Sequence, residues 1–179
     1  MWCQILNSVP NAILILKAKC FADEQTRLHA KEIFSVRNIH SDRIVLMPWE
    51  PSTLPHLAQY NRIDIALDTF PYNGTTTTCE ALYMGVPVIT LAGNTHASRV
   101  GVSLLSNVGL PDMIAGTPDE YVALAVDLAR NLEKLQSLRT ALRGMLLSSP
   151  LTDAGTFTSH LEEAYRRMWI KWCNQQEHS

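Results

Sequence analysis

A chain of 179 residues, 46% hydrophobic and 18% charged, is one domain's worth of soluble globular protein. A net charge of −2 gives no electrostatic case for nucleic acid or an anionic membrane, and no apolar run approaches the roughly 20 residues that span a bilayer. The four cysteines, Cys3, Cys20, Cys79 and Cys173, are scattered without a C-x-x-C pair, so neither a zinc site nor a disulfide framework is expected, and reduced thiols in a cytoplasm fit best. Met1-Trp2-Cys3-Gln4 has neither the basic nor the long apolar region of a signal peptide.

Along the chain, apolar runs alternate with helical periodicity. Ile13 to Leu16, after Pro10-Asn11, is expected to be a buried strand. Asp23 to Val36 is expected to be a helix, with Asp23 as its cap and Leu28, Ile33 and Phe34 on a partial apolar face. Arg43 to Met47 reads as a second strand, stopped by Pro48. Thr53 to Tyr60 reads as a short helix with Pro55 in its first turn. Ile63 to Leu67 is the third expected strand, Thr76 to Met84 a helix and Val86 to Leu91 the fourth strand. Ala97 to Asn107 is expected to be helical. So is Asp119 to Asn131, where Tyr121, Leu124, Ala125 and Leu128 sit at i, i+3, i+4 and i+7. Leu132 to Leu147 and Asp153 to Trp172 continue as helices, broken at Ser148-Ser149-Pro150. The polar end, Asn174 to Ser179, is expected to fray. Strands alternating with helices imply an α/β fold with a parallel sheet covered on both faces. Ligands of such sheets sit beyond the C-terminal strand ends, where Asp68 to Thr78 and Leu91 to Arg99 fall.

The segment Asn73-Gly74-Thr75-Thr76-Thr77-Thr78-Cys79-Glu80 is the most specific signal. It leads from an apolar strand through a glycine turn and four hydroxyl residues into a helix. The first N–H groups of a helix lack partners and its dipole is positive there, so this end attracts anions, phosphates above all. Thr is also a favoured cap, so a plain helix start is the competing explanation. Glu80, about one turn in, is a poor phosphate ligand but a good acceptor for sugar hydroxyls. Together these parts suggest a nucleotide-diphosphate site with a ribose clamp. No G-x-G-x-x-G or G-x-S-x-G is present, which argues against a dinucleotide dehydrogenase and an α/β-hydrolase. The histidines show no metal spacing, and no metal is expected.

Asn73 to Leu82, Gly85-Val86-Pro87-Val88 and His96-Ala97-Ser98-Arg99-Val100-Gly101 together resemble the C-terminal catalytic region of the O-linked N-acetylglucosamine transferase family. Bacterial members often carry that region behind tetratricopeptide repeats. Val9 to Leu16, Arg43 to Leu46, Ser148 to Leu151 and Tyr165 to Trp169 extend the likeness over nearly the whole chain. The resemblance implies the Rossmann-like C-terminal half of a GT-B glycosyltransferase with a helical C-terminal tail. Residues 1–150 would form the UDP-sugar-binding half and residues 151–179 a crossover helix and frayed tail. The whole enzyme would move a sugar from UDP, most simply N-acetylglucosamine, to a Ser or Thr hydroxyl of a protein. An asparagine-glucosylating GT-B relative and a non-catalytic nucleotide-binding remnant are the alternatives. The N-terminal catalytic half is missing from the likeness, as are a lysine and a glutamine expected just upstream of Trp2. The chain is therefore expected to be a fragment that is inactive alone.

The resemblance also assigns residues. Thr75, Thr76 and Thr77 match the donor-phosphate turn, with Asn73 and Gly74 beside it. Glu80 matches an acidic residue on the ribose hydroxyls, and His56 a histidine that packs on uracil. Arg99 would approach the diphosphate or tie a loop. A family lysine shortly before the histidine has no match, because Ser52 and Thr53 occupy that region. No catalytic base is assigned, since the family's acceptor groove lies mostly in the other half. His96 is a weak candidate for that reason. Leu161, Tyr165, Met168, Trp169 and Trp172 form a helical stripe that would be partly exposed without that half.

Overall fold

The computed structural model describes residues 1–176. The chain opens with a helix that the sequence reading did not anticipate, α1 (Trp2–Ser8), which buries Ile5 and Leu6. Strand β1 (Leu14–Lys17) pairs in parallel with β2 (Ile44–Met47), Leu14 opposite Ile44 and Lys17 opposite Met47. The crossover between them is α2 (Glu24–Ser35), capped by the Asp23 carboxylate, which accepts the Thr26 N–H at 2.7 Å. Leu6, Phe34, Ile39 and Ile44 form the small core of this layer. Arg43 locks it. Its guanidinium donates to the carbonyls of Leu6, Val9 and Ala12 at 2.8–2.9 Å, satisfying the end of α1.

A second parallel ladder holds β3 (Ala66–Leu67), β4 (Val88–Leu91) and β5 (Ile114–Ala115) in the order β3-β4-β5. All four residues of β4 are buried, the signature of a central parallel strand. The helices are α3 (Thr53–Ala58), α4 (Thr76–Tyr83), α5 (Val100–Val108), α6 (Pro118–Arg130) and α7 (Leu132–Leu147). Tyr121, Ala125 and Leu128 of α6 face the main core, which also holds Leu82, Ile89, Leu105 and Leu142. Gly85 turns α4 back into the sheet at φ +75°. A Cβ there would lie 2.7 Å from the Arg139 carbonyl, so only glycine fits.

Several expected boundaries move. The single expected sheet is paired as two ladders. Ile63 to Leu67 narrows to Ala66–Leu67, and Val86 to Leu91 to Val88–Leu91. Pro87 has no N–H to give, so the ladder begins where Ala66 donates to the Pro87 carbonyl at 2.8 Å. The Ile63 carbonyl is instead taken by Arg139 at 2.6 Å. The helix expected over Ala97 to Asn107 is a short 3-10 turn, His96–Ser98, followed by α5. Strand β5 is only two residues long and gave no periodic signal. The last helix, α8 (Ala154–Gln176), runs past Trp172 through Asn174 and Gln175, residues expected to fray. Glu177 to Ser179 lie outside the described residues. Phe157, Tyr165, Met168, Trp169 and Trp172 of α8 are exposed, with the two indoles stacked at 5.3 Å.

Candidate functional site

Where β3 ends, Asp68 ties the layers together. Its buried carboxylate accepts the Gly74 N–H and the Thr90 hydroxyl, both at 2.7 Å. Its carbonyl accepts the Tyr121 hydroxyl at 2.9 Å. Burial pushes the Asp68 carboxyl above its ordinary value, although these bonds oppose the shift. Asn73 is also buried. It donates from its amide to the Thr69 carbonyl at 2.9 Å and accepts the Gly101 N–H at 3.2 Å. The Gly74 carbonyl takes the Thr78 hydroxyl at 3.0 Å. The polar groups of Asn73 and Gly74 are thus turned inward, holding the turn in shape.

Thr75, Thr76 and Thr77 are exposed on the outer side of the same turn. Thr75 makes no side-chain cap, and the first bond within α4 is Cys79 N–H to the Thr75 carbonyl at 3.1 Å. The N–H groups of Thr76, Thr77 and Thr78 therefore have no acceptor within the helix, which leaves an end suited to an anion.

One turn further along α4, Glu80 meets a residue from another helix. The Glu80 Oε2 lies 2.8 Å from His56 Nε2, with both side chains about a quarter exposed. His56 Nδ1 is bonded in turn to the Nζ of Lys17, at the end of β1. Tyr60 closes the group. Its hydroxyl donates to the Thr77 carbonyl at 3.2 Å and reaches Glu80 at 3.4 Å, and its ring meets the imidazole edge-on at 5.8 Å. Burial, reinforced by Glu80, pushes the Tyr60 phenol upward, so it stays a neutral donor. Burial, with Glu80 beside it, also pushes the Cys79 thiol up, which favours its protonated form. Lys17 was not singled out in the sequence. Its position at the C-terminal end of a parallel strand, where ligands of such folds collect, was the available signal.

Arg99 stands apart from this cluster. It is exposed and donates to the Gly93 carbonyl at 3.2 Å, tying its own loop. His96 is exposed at the start of the 3-10 turn. A hollow of about 140 Å³, with Tyr60, Asp68, Gly74, Thr77 and Thr78 in its wall, lies under the turn. It is smaller than a ligand pocket and forms only the floor of a site. A larger hollow, about 570 Å³, is a groove along α8 alone and encloses nothing. Among the described residues, no group of three His, Cys, Asp or Glu side chains could hold a metal. No helix among them is long and apolar enough to cross a membrane.

Residues 1–161 match the model of glycosyl transferase family 41. The chain belongs to this family. Among its relatives, a protein of Hordeum vulgare described as a probable UDP-N-acetylglucosamine–peptide N-acetylglucosaminyltransferase, SPINDLY, is 47% identical over 97% of the chain. A protein of Arabidopsis thaliana described in the same terms, SEC, is 35% identical over 98% of the chain. The chain spans 18% of the length of each. A solved structure of a mutant O-GlcNAc transferase from Thermobaculum terrenum superposes with a TM-score of 0.92 at 43% identity, covering 97% of this chain and 33% of that one. The family 41 chain is thus part of an O-GlcNAc transferase-type catalytic domain, an α/β fold with parallel strands flanked by helices and a long C-terminal helix.

Proposed function

We propose that residues 1–150 are the donor-binding half of a protein glycosyltransferase, holding a UDP-sugar at the N-terminal end of α4. The observation that carries this reading is a juxtaposition. One short helix presents an open anion-binding end at Thr75 to Thr77 and, one turn on, a carboxylate paired with a part-exposed imidazole. Phosphate suits the first, ribose hydroxyls the second, and the face of His56 a uracil ring. The threonine hydroxyls and N–H groups would stabilise charge on the diphosphate as it departs. Asn73 and Gly74 would support the turn, and Arg99 would stiffen the neighbouring loop. The acceptor would be a Ser or Thr hydroxyl of a protein, bound by parts of the enzyme beyond this chain. We place the activity in the cytoplasm, in keeping with four free cysteines.

Bringing an acceptor within near-attack distance of the donor carbon takes two halves closing on a cleft. This chain alone is expected to bind UDP weakly and to transfer no sugar. Ligand-observed NMR with UDP, on wild type and Glu80→Ala, tests the binding site. Contact signals that vanish in the variant, with unchanged thermal unfolding, are the expected result. Equal signals in both overturn it. A radiolabelled UDP-N-acetylglucosamine assay with a peptide mixture tests the rest, and multiple turnover by the chain alone contradicts the reading.

A further inference from the structure

We infer that Lys17 is a positioning residue of this site: from the end of β1 it sets the protonation pattern and orientation of His56, and through His56 it decides which oxygen of Glu80 stays open to a ligand. Its bearing on a nucleotide rests on the donor-site reading above; the arrangement itself does not. An ammonium group only donates hydrogen bonds. Lys17 Nζ bonded to His56 Nδ1 therefore requires a lone pair on that nitrogen, which places the ring proton on Nε2. The Nε2–H then donates to Glu80 Oε2 at 2.8 Å. The imidazole is held at both ring nitrogens and cannot turn about its χ2 axis. Base stacking uses a face and needs a fixed ring.

The second consequence falls on Glu80. Its Oε2 takes both His56 and, at 3.4 Å, Tyr60. Its Oε1 has no hydrogen-bond partner among the described residues, so it is the oxygen left for a ligand hydroxyl. The three groups come from β1, α3 and α4, 39 and 24 residues apart along the chain. Lys17 also balances the charge of Glu80 across the ring. The charged and titratable groups facing the imidazole are Lys17, Glu80 and Tyr60.

The test is the ring-nitrogen NMR signal of His56 in wild type, Lys17→Met and Lys17→Arg, read for which nitrogen carries the single proton of the neutral ring. Wild type should show the proton on Nε2, Lys17→Met a clear share of the Nδ1–H tautomer, and Lys17→Arg a return towards wild type. UDP affinity should fall several-fold in Lys17→Met with pyrophosphate binding unchanged, and recover in Lys17→Arg. An Nδ1 signal that is the same in wild type and Lys17→Met overturns the inference, whatever UDP does. A wild-type chain with the expected Nδ1 behaviour that takes up no UDP overturns the donor-site reading and upholds the role of Lys17 on His56.

Discussion

The two halves of the candidate site are held by opposite means. The turn from Asn73 to Thr78 is fixed by short bonds into the buried layer: Gly74 to Asp68, Asn73 to Thr69 and Gly101, Thr78 back to Gly74. Little in it can move without breaking the core. The clamp is fixed by the ends of long side chains, Lys17, His56 and Glu80, that meet across three elements. It is held by side chains alone, from three separate elements, and not by the backbone of any one turn. The first half therefore depends on the core for its shape, and the second on three side chains finding one another.

The comparison can be broken first at the turn. Gly101 sits where a Cβ would lie 2.2 Å from Thr90 Oγ1 and 2.6 Å from Asp68 Oδ2. Gly101→Ala should cost about 3 kcal/mol of stability, the upper end of ordinary overpacking, read from urea unfolding. A variant as stable as wild type would mean that the turn is far softer than its bonds imply. The clamp should respond in binding instead. Glu80→Ala should lose about 1.5–3 kcal/mol of UDP affinity in a full-length enzyme, with stability unchanged, by calorimetry. His56→Ala should lose about 1–3 kcal/mol for UDP but little for pyrophosphate, since it removes a stacking face and not a phosphate contact. Equal losses for both ligands would place His56 in the anion half.

The smallest expected effect is a pH dependence. The Asp68 carboxyl is raised above its ordinary value of 3.8, so between that pH and its folded value the native state binds more protons than the unfolded chain. Its contribution to stability is fully present below pH 3.8 and is lost as pH rises through the folded value. The stability of wild type relative to Asp68→Asn should therefore shrink as pH rises through that window, checked by urea unfolding across a pH series. Other carboxylates cancel in the difference.

The same division explains what the sequence made legible. The α4 turn was readable because its parts are contiguous: a strand end, a glycine, four threonines and a helical carboxylate. The helices from α5 to α7 were readable because their apolar positions recur, as at Tyr121, Ala125 and Leu128. Helix α1 was missed because Ile5 and Leu6 bury only two residues and its end is satisfied by Arg43, 37 residues from Leu6. Strand β5 has just two residues, too few for any period. Lys17 lies 39 residues from His56, and its place at the end of β1 marks it only as near a ligand edge, not as a partner of His56. Pairings made by long side chains across a fold leave no spacing rule in the chain.

Helix α8 has a mechanical consequence. It has 23 residues, so it is a rod of about 35 Å at 1.5 Å per residue, rooted at Pro150–Thr152. The root is tied back to α7: the Ser149 hydroxyl donates to the Leu146 carbonyl at 2.7 Å and the Thr152 hydroxyl to the Leu147 carbonyl at 2.9 Å. A swing of about 10° there moves the far end by ~6 Å, more than a helix turn. The position of Trp169 and Trp172 is thus sensitive to the angle at which the chain leaves α7.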